Sequence, residues 1–102
     1  MNTTSRILGE AMTPYQKRIY KDPQKAYSWA NKRKQRFPEA EAAIATDPEL
    51  ALLYVRDVIR GRWPEGEPAI ATSPYYSKEY LELFPQARLE FAMNGWIDWL
   101  DL

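Results

Sequence analysis

Apolar residues recur along this chain in short clusters at helical spacing, each preceded by an Xaa-Pro dipeptide. Ala51, Tyr54, Val55 and Val58 fall on one helical face. Ala26, Trp29 and Ala30 match the first three of these, and so do Ser77, Tyr80 and Leu81. Asp22-Pro23, Asp47-Pro48 and Ser73-Pro74 stand before the clusters at spacings of 25 and 26 residues. Asp or Ser at an N-cap accepts an otherwise unpaired backbone N–H, and Pro at the first helical position sacrifices none. Helices are therefore predicted from Pro23, Pro48 and Pro74. Thr13-Pro14 starts one more, without a clear second half.

A second pattern lies between these helices. Arg36-Phe37-Pro38-Glu39-Ala40-Glu41, followed by Ile44-Ala45-Thr46, reappears 26 residues later as Arg62-Trp63-Pro64-Glu65-Gly66-Glu67, followed by Ile70-Ala71-Thr72. A third, shortened version runs from Phe84-Pro85-Gln86-Ala87 to Phe91-Ala92. The pattern predicts a corner in which the aromatic ring plugs the space between helices and Pro restarts the chain as a second helix. Acids in that helix's first turn suit the positive end of its dipole. Pro68 falls in the same turn, where no intrahelical N–H is lost. Arg60-Gly61-Arg62 is expected to end the first helix, with Gly61 at positive φ.

The expected fold is all-α: two to three stacked short helical hairpins with a repeat of about 26 residues and a C-terminal capping helix. A single domain covers 1–102, with an N-terminal segment 1–21, repeats 22–46, 47–72 and 73–92, and a C-terminal helix end 93–102. The last segment, about Gln86 to Leu100, is expected to be one longer helix with Leu89, Met93, Trp96 and Leu100 on one face.

The string from Tyr54-Val55-Arg56-Asp57-Val58-Ile59 through Arg60-Gly61-Arg62-Trp63-Pro64-Glu65 to Gly66-Glu67-Pro68-Ala69-Ile70-Ala71 resembles a tandem helical repeat of tailed-bacteriophage proteins. The likeness is close over 48–72, clear over 22–46 and partial over 73–92. In the first copy Gln35 stands where the repeat has Gly, and Lys32-Arg33 replaces the Val-Ile pair. The resemblance implies a phage origin and a helical fold, and it carries no catalytic residues.

Composition narrows the chemistry. The chain has no Cys and no His. That removes disulfides, thiolate metal sites and the commonest general base near neutral pH. No apolar run approaches the length of a membrane span, and the first residues lack a signal-peptide core. A cytoplasmic setting, in the host cell, is expected, without a cofactor or a metal. Net charge is zero, but residues 1–36 hold nine bases and two acids, whereas 37–102 hold five and twelve.

Four groups of residues are candidates for function. Lys32, Arg33, Lys34 and Arg36, extended by Lys17, Arg18, Lys21 and Lys25, form a basic patch that suits phosphates, an acidic protein surface, or simply a solvated helix end. Glu39/Glu41 and Glu65/Glu67 are paired acids, but catalytic sites are normally unique whereas dipole partners repeat, so a structural role is expected. Trp29, Tyr54 and Tyr80 read as core rather than as a stacking platform. Trp96, Trp99 and Leu102, with Tyr75 and Tyr76, are the partner-binding candidates, against a terminal cap folded over the last repeat. The expected function is a non-enzymatic interaction module, an inhibitor or modulator of a host or phage protein, with a homodimer contact as an alternative occupant. A nucleic-acid-binding protein using the basic half is the second expectation.

Overall fold

Every Xaa-Pro dipeptide singled out above starts a helix. In the computed structural model, which describes residues 12–101, the α-helices are α1 (Pro14–Ile19), α2 (Pro23–Arg33), α3 (Glu41–Ile44), α4 (Pro48–Tyr54), α5 (Glu67–Ile70), α6 (Pro74–Leu83) and α7 (Arg88–Met93). The side chains of Thr13, Asp22, Asp47 and Ser73 accept the backbone N–H groups of Gln16, Lys25, Leu50 and Tyr76 at 2.9–3.2 Å. The first turn of each of α1, α2, α4 and α6 is thereby closed by its own cap. No strand occurs among the described residues, and no described helix is long and apolar enough to cross a membrane.

The three aromatic-Pro corners share one backbone geometry. Phe37, Trp63 and Phe84 have φ of −122°, −135° and −132° with ψ of 79°, 85° and 75°. Each is followed by a one-turn 3-10 segment (Pro38–Ala40, Pro64–Gly66, Pro85–Ala87) that leads into α3, α5 or α7. The predicted second helices are thus tight turns first and α-helices afterwards.

The core is a file of aromatic and β-branched side chains along a body of 48 × 25 × 20 Å. Trp63, Tyr54, Tyr80, Phe37, Phe91, Ile44, Ile70 and Val55 are fully buried. Trp29 packs on Phe37 (4.9 Å between ring centroids), Tyr54 on Trp63 (5.1 Å) and Tyr80 on Phe84 (5.1 Å). Buried Ile19 precedes Pro23 by four residues, as Ile44 precedes Pro48 and Ile70 precedes Pro74. Helix α1 therefore stands to α2 as α3 stands to α4, a role that Thr13-Pro14 alone does not reveal.

Three sequence expectations are corrected. Positive φ falls on Arg60 (59°) and Lys34 (51°), not on Gly61. The left-handed residue comes one position earlier, and Gly61 has open space around it. Gln35 in the matching place therefore carries no backbone penalty, while each non-glycine left-handed residue costs roughly 1–2 kcal/mol.

Second, α4 continues through Val55–Ile59 as a π-helical turn, closed by the Arg60 N–H on the Val55 carbonyl at 2.6 Å. From the first copy to the second the helix face recurs at 25 residues but the corner at 26, and the π turn of the second copy absorbs the extra residue.

Third, the segment 86–100 is not one helix. Helix α7 ends at Met93 and Gly95 takes φ 76°. Trp96 N–H bonds the Phe91 carbonyl (2.8 Å), and Gly95 N–H bonds the Ala92 carbonyl (3.0 Å). That is a Schellman stop, with Trp96 packed edge-on against Phe91 at 5.0 Å. After it only a 3-10 turn, Trp99–Asp101, is regular.

Corner ring size and the small residue three positions on vary together: Phe37 with Ala40, Phe84 with Ala87, Trp63 with Gly66. A Cβ on Gly66 would lie 2.3 Å from Trp63 Cε3, so glycine is there for space, its φ being −93°. The Trp63 indole N–H is buried without a hydrogen-bond partner among the described residues, so the larger ring has a polar cost as well. Gly66→Ala is expected to cost about 1–3 kcal/mol by overpacking. Trp63→Phe combined with Gly66→Ala should recover most of that loss by recreating the Phe-Ala pair. Urea unfolding of the two single variants and the double variant measures the coupling; simple additivity would refute the steric account.

Candidate functional site

One acid of each pair, Glu41 and Glu67, is absorbed by the scaffold. Arg36 binds Glu41 through Nε and Nη2 at 2.7 and 2.8 Å. The Tyr54 hydroxyl donates to Glu41 Oε2 at 2.7 Å while accepting the Phe37 backbone N–H at 2.8 Å. The same set returns as Arg62, Glu67, Tyr80 and Trp63. Arg62 binds Glu67 at 2.9 and 3.0 Å, the Tyr80 hydroxyl donates to Glu67 Oε2, and the Trp63 backbone N–H donates to the Tyr80 hydroxyl at 3.1 Å. Arg62 also reaches Glu90 at 2.8 Å, which ties α7 to the corner.

Glu67 is buried, so its charge is tolerable only because Arg62 and Tyr80 fill its lone pairs. Burial raises the Tyr54 and Tyr80 hydroxyls well above the ordinary tyrosine value, and the adjacent carboxylates add to the rise. The guanidinium–carboxylate bonds hold Arg36 and Arg62 more firmly protonated than usual. Tyr54 and Tyr80 present no face to solvent, so neither is a stacking platform.

A third tyrosine is held differently. Tyr27 on α2 donates to Asp57 Oδ2 at 2.7 Å, and Asp57 sits in the π turn beside Arg56. Burial and this bond push Tyr27 up to about 12, and the Arg56 bond holds Asp57 below the usual carboxylate range.

Both ends of the body depart from the clasp pattern. Gln16 stands three residues before Ile19, where Glu41 and Glu67 stand before Ile44 and Ile70, and Trp29 follows it in the place of Tyr54 and Tyr80. Gln16 Oε1 instead accepts the Thr13 N–H at 2.9 Å, and the indole of Trp29 has no hydroxyl to offer. A cleft of about 320 Å³ lies at this station, lined by Tyr15, Lys25, Ser28, Trp29, Lys32 and Arg33. The predicted basic patch is thereby divided. Lys32 and Arg33 join the cleft. Arg36 is committed to Glu41, and Lys34 turns back to Asn31 Oδ1 at 2.6 Å.

At the other end, Leu83 and Arg88 occupy the places of the clasp's Arg and Glu. Arg88 Nε is buried without a hydrogen-bond partner among the described residues. It borders a cavity of about 540 Å³ floored by Leu81, Trp96 and Ile97 and flanked by Lys78, Glu82 and Asp98. Of the predicted partner-binding residues, Trp96 is half-buried against Phe91, Trp99 is 55% exposed, Tyr75 is exposed and Tyr76 is half-buried beside it. Leu102 lies outside the described residues. Leu83, Leu89, Met93 and Leu100 are not among the predicted partner-binding residues, yet all four are exposed. Leu89 and Met93 face outward because α7 buries Phe91 and Ala92 instead, and beyond the stop at Gly95 the stripe breaks up, Trp96 packing on Phe91 while Leu100 stays exposed. Among the described residues no three acids gather in a metal-ligating cluster.

No family model, curated protein or solved structure matches the chain. The phage-repeat resemblance therefore rests on the residues themselves.

The clasps make the fold sensitive to alkali. A tyrosine whose folded value is raised contributes stability that is complete below its unfolded value, near 10, and lost as pH climbs through the folded one. Unfolding free energy should be flat from pH 7 to about 10, then fall by up to about 1.4 kcal/mol per pH unit for each buried tyrosine. Tyr80→Phe should cost about 1–3 kcal/mol at neutral pH by orphaning the Trp63 N–H. It should cost more than Tyr54→Phe, whose Glu41 keeps more water, and should flatten the alkaline slope. Denaturant titrations across pH 7–11 read both; an unchanged alkaline slope in Tyr80→Phe would contradict the clasp.

Proposed function

We propose that this chain is a non-enzymatic protein-interaction module of bacteriophage origin, built from short helical hairpins that stack at a repeat of about 26 residues. Recurrence of the same corner dihedrals and the same Arg–Glu–Tyr bonds 26 residues apart supports the repeat reading. The same recurrence supports a scaffold role for Glu41 and Glu67, which are spent on tyrosine and arginine.

One observation carries the binding role. Among the described residues seven large apolar side chains stand exposed, and five of them (Leu83, Leu89, Met93, Trp99, Leu100) belong to the stretch 83–100. Apolar surface gathered at one end of a small domain is the usual mark of a protein contact, with tryptophan as its anchor. The proposed partner is a host or phage protein met in the host cytoplasm, whose activity is inhibited or modulated by occupation of its surface. Counter-defence and host takeover are the roles of this kind.

A photocrosslinking amino acid at position 93, compared with one at exposed position 46, tests the face in infected cells. A single protein captured from position 93 and not from position 46 is expected. Trp99→Ala with Leu100→Ser should then weaken the purified complex by about tenfold or more while leaving the melting temperature unchanged. Capture of a second copy alone would assign the face to self-association and overturn the reading, as would equal capture from both positions.

A further inference from the structure

The cleft between α1 and α2 lies apart from the C-terminal face, and its chemistry is different. Lys25, Ser28, Trp29 and Lys32 follow one another at helical spacing on the side of α2 turned away from buried Ala26, Tyr27 and Ala30. Tyr15 of α1 forms the opposite wall and is 48% exposed. Arg33 lies over the Trp29 ring at 4.6 Å, and Arg18 lies over Tyr15 at 5.6 Å. Two cations are thus held at the rims of two aromatic faces.

Acids are sparse in the sequence around it, and those of other elements that reach α2 and its end, Asp57 and Glu41, are bonded to Tyr27 and Arg36. Between residues 12 and 36, Asp22 is the single acid, and its carboxylate is engaged in capping α2. Lys17, Lys21, Lys25, Lys32 and Arg33 form no ion pair among the described residues. Where the two inner stations close on a Glu–Tyr clasp, this one stays open because Gln16 and Trp29 cannot make it.

We propose that this cleft binds single-stranded nucleic acid, with Lys25, Lys32 and Arg33 on successive phosphates and Tyr15 as the stacking face for a base. Cations alone would suit any polyanion, but an exposed aromatic ring set among them selects for bases that are free to stack. A duplex keeps its bases stacked inside, and a run of Asp and Glu has no ring to lay on Tyr15. The proposal is independent of the protein-binding role proposed for the other end.

Fluorescence anisotropy with the full chain and labelled oligothymidylate tests it, with a duplex of equal length and polyglutamate as competitors. Binding near 50 mM salt is expected, weakening on a log–log plot with a slope of about −2 to −3 for three to four phosphates. Tyr15→Ala should lower affinity by about tenfold without changing that slope. Lys25→Glu with Lys32→Glu should abolish binding at 150 mM salt, whereas Lys78→Glu at the far end should leave it intact. Circular dichroism of each variant separates these effects from unfolding. No binding at about 50 mM salt, tighter binding of the duplex, or equal competition by polyglutamate with no effect of Tyr15→Ala would each overturn the proposal.

Discussion

The tyrosine hydroxyl that accepts a backbone N–H and donates to a carboxylate is the contact on which the rest of this fold depends. The corners at Phe37 and Trp63 each bury a backbone N–H that no helix uses, whereas at Phe84 the N–H still bonds the Tyr80 carbonyl of α6 at 2.8 Å. Such a group costs about 1–3 kcal/mol if left bare. Tyr54 and Tyr80 satisfy it from 17 residues further along the chain, and their rings pack on the next corner, at Trp63 and Phe84. One side chain therefore joins two successive corners, by its oxygen to the earlier one and by its ring to the later. Glu41 and Glu67 orient the hydroxyl, and Arg36 and Arg62 offset the charge that this brings inward.

This division of labour accounts for how much of the molecule could be read from its residues. Local features were legible: Asp-Pro and Ser-Pro caps act within three residues, and the aromatic-Pro corners repeat visibly. The charge imbalance and the structural use of the paired acids also followed from position alone. What stayed hidden depends on backbone detail or on partners far along the chain. Gly61 invites a positive φ, yet the carbonyl geometry at the end of each helix places it on Lys34 and Arg60. The one-residue difference between the 25- and 26-residue spacings is plain in the sequence, but its resolution as a π turn is not. Asn94-Gly95 interrupts the apolar stripe that by itself predicts one helix, and the chain stops there with Gly95 at φ 76°.

The candidate surfaces were less legible than the fold. A run such as Lys32-Arg33-Lys34-Gln35-Arg36 looks like one patch on paper. A helix end and two side-chain bonds divide it between a cleft and the scaffold. Tyr15 gave no signal, because its meaning comes from Trp29 and Lys25 across the gap between two helices.

Repetition itself provides the last step. A side chain that recurs at every station answers a need common to all of them, which is packing or hydrogen bonding. A function that occurs once must lie where the pattern is broken, and each break forfeits stability that the intact clasp supplies. The breaks here fall at the two ends. Gln16 and Trp29 leave a basic cleft at one, and Leu83 and Arg88 leave an apolar face and an unfilled guanidinium nitrogen at the other. The ends are opposite in chemistry as well as in place, one basic and aromatic, the other apolar. Between them the two closed clasps form a spacer that keeps the ends apart on a body 48 Å long. A scaffold that spends Glu41 and Glu67 on tyrosines in the middle leaves its unpaired cations at one break in the pattern and its exposed apolar side chains at the other.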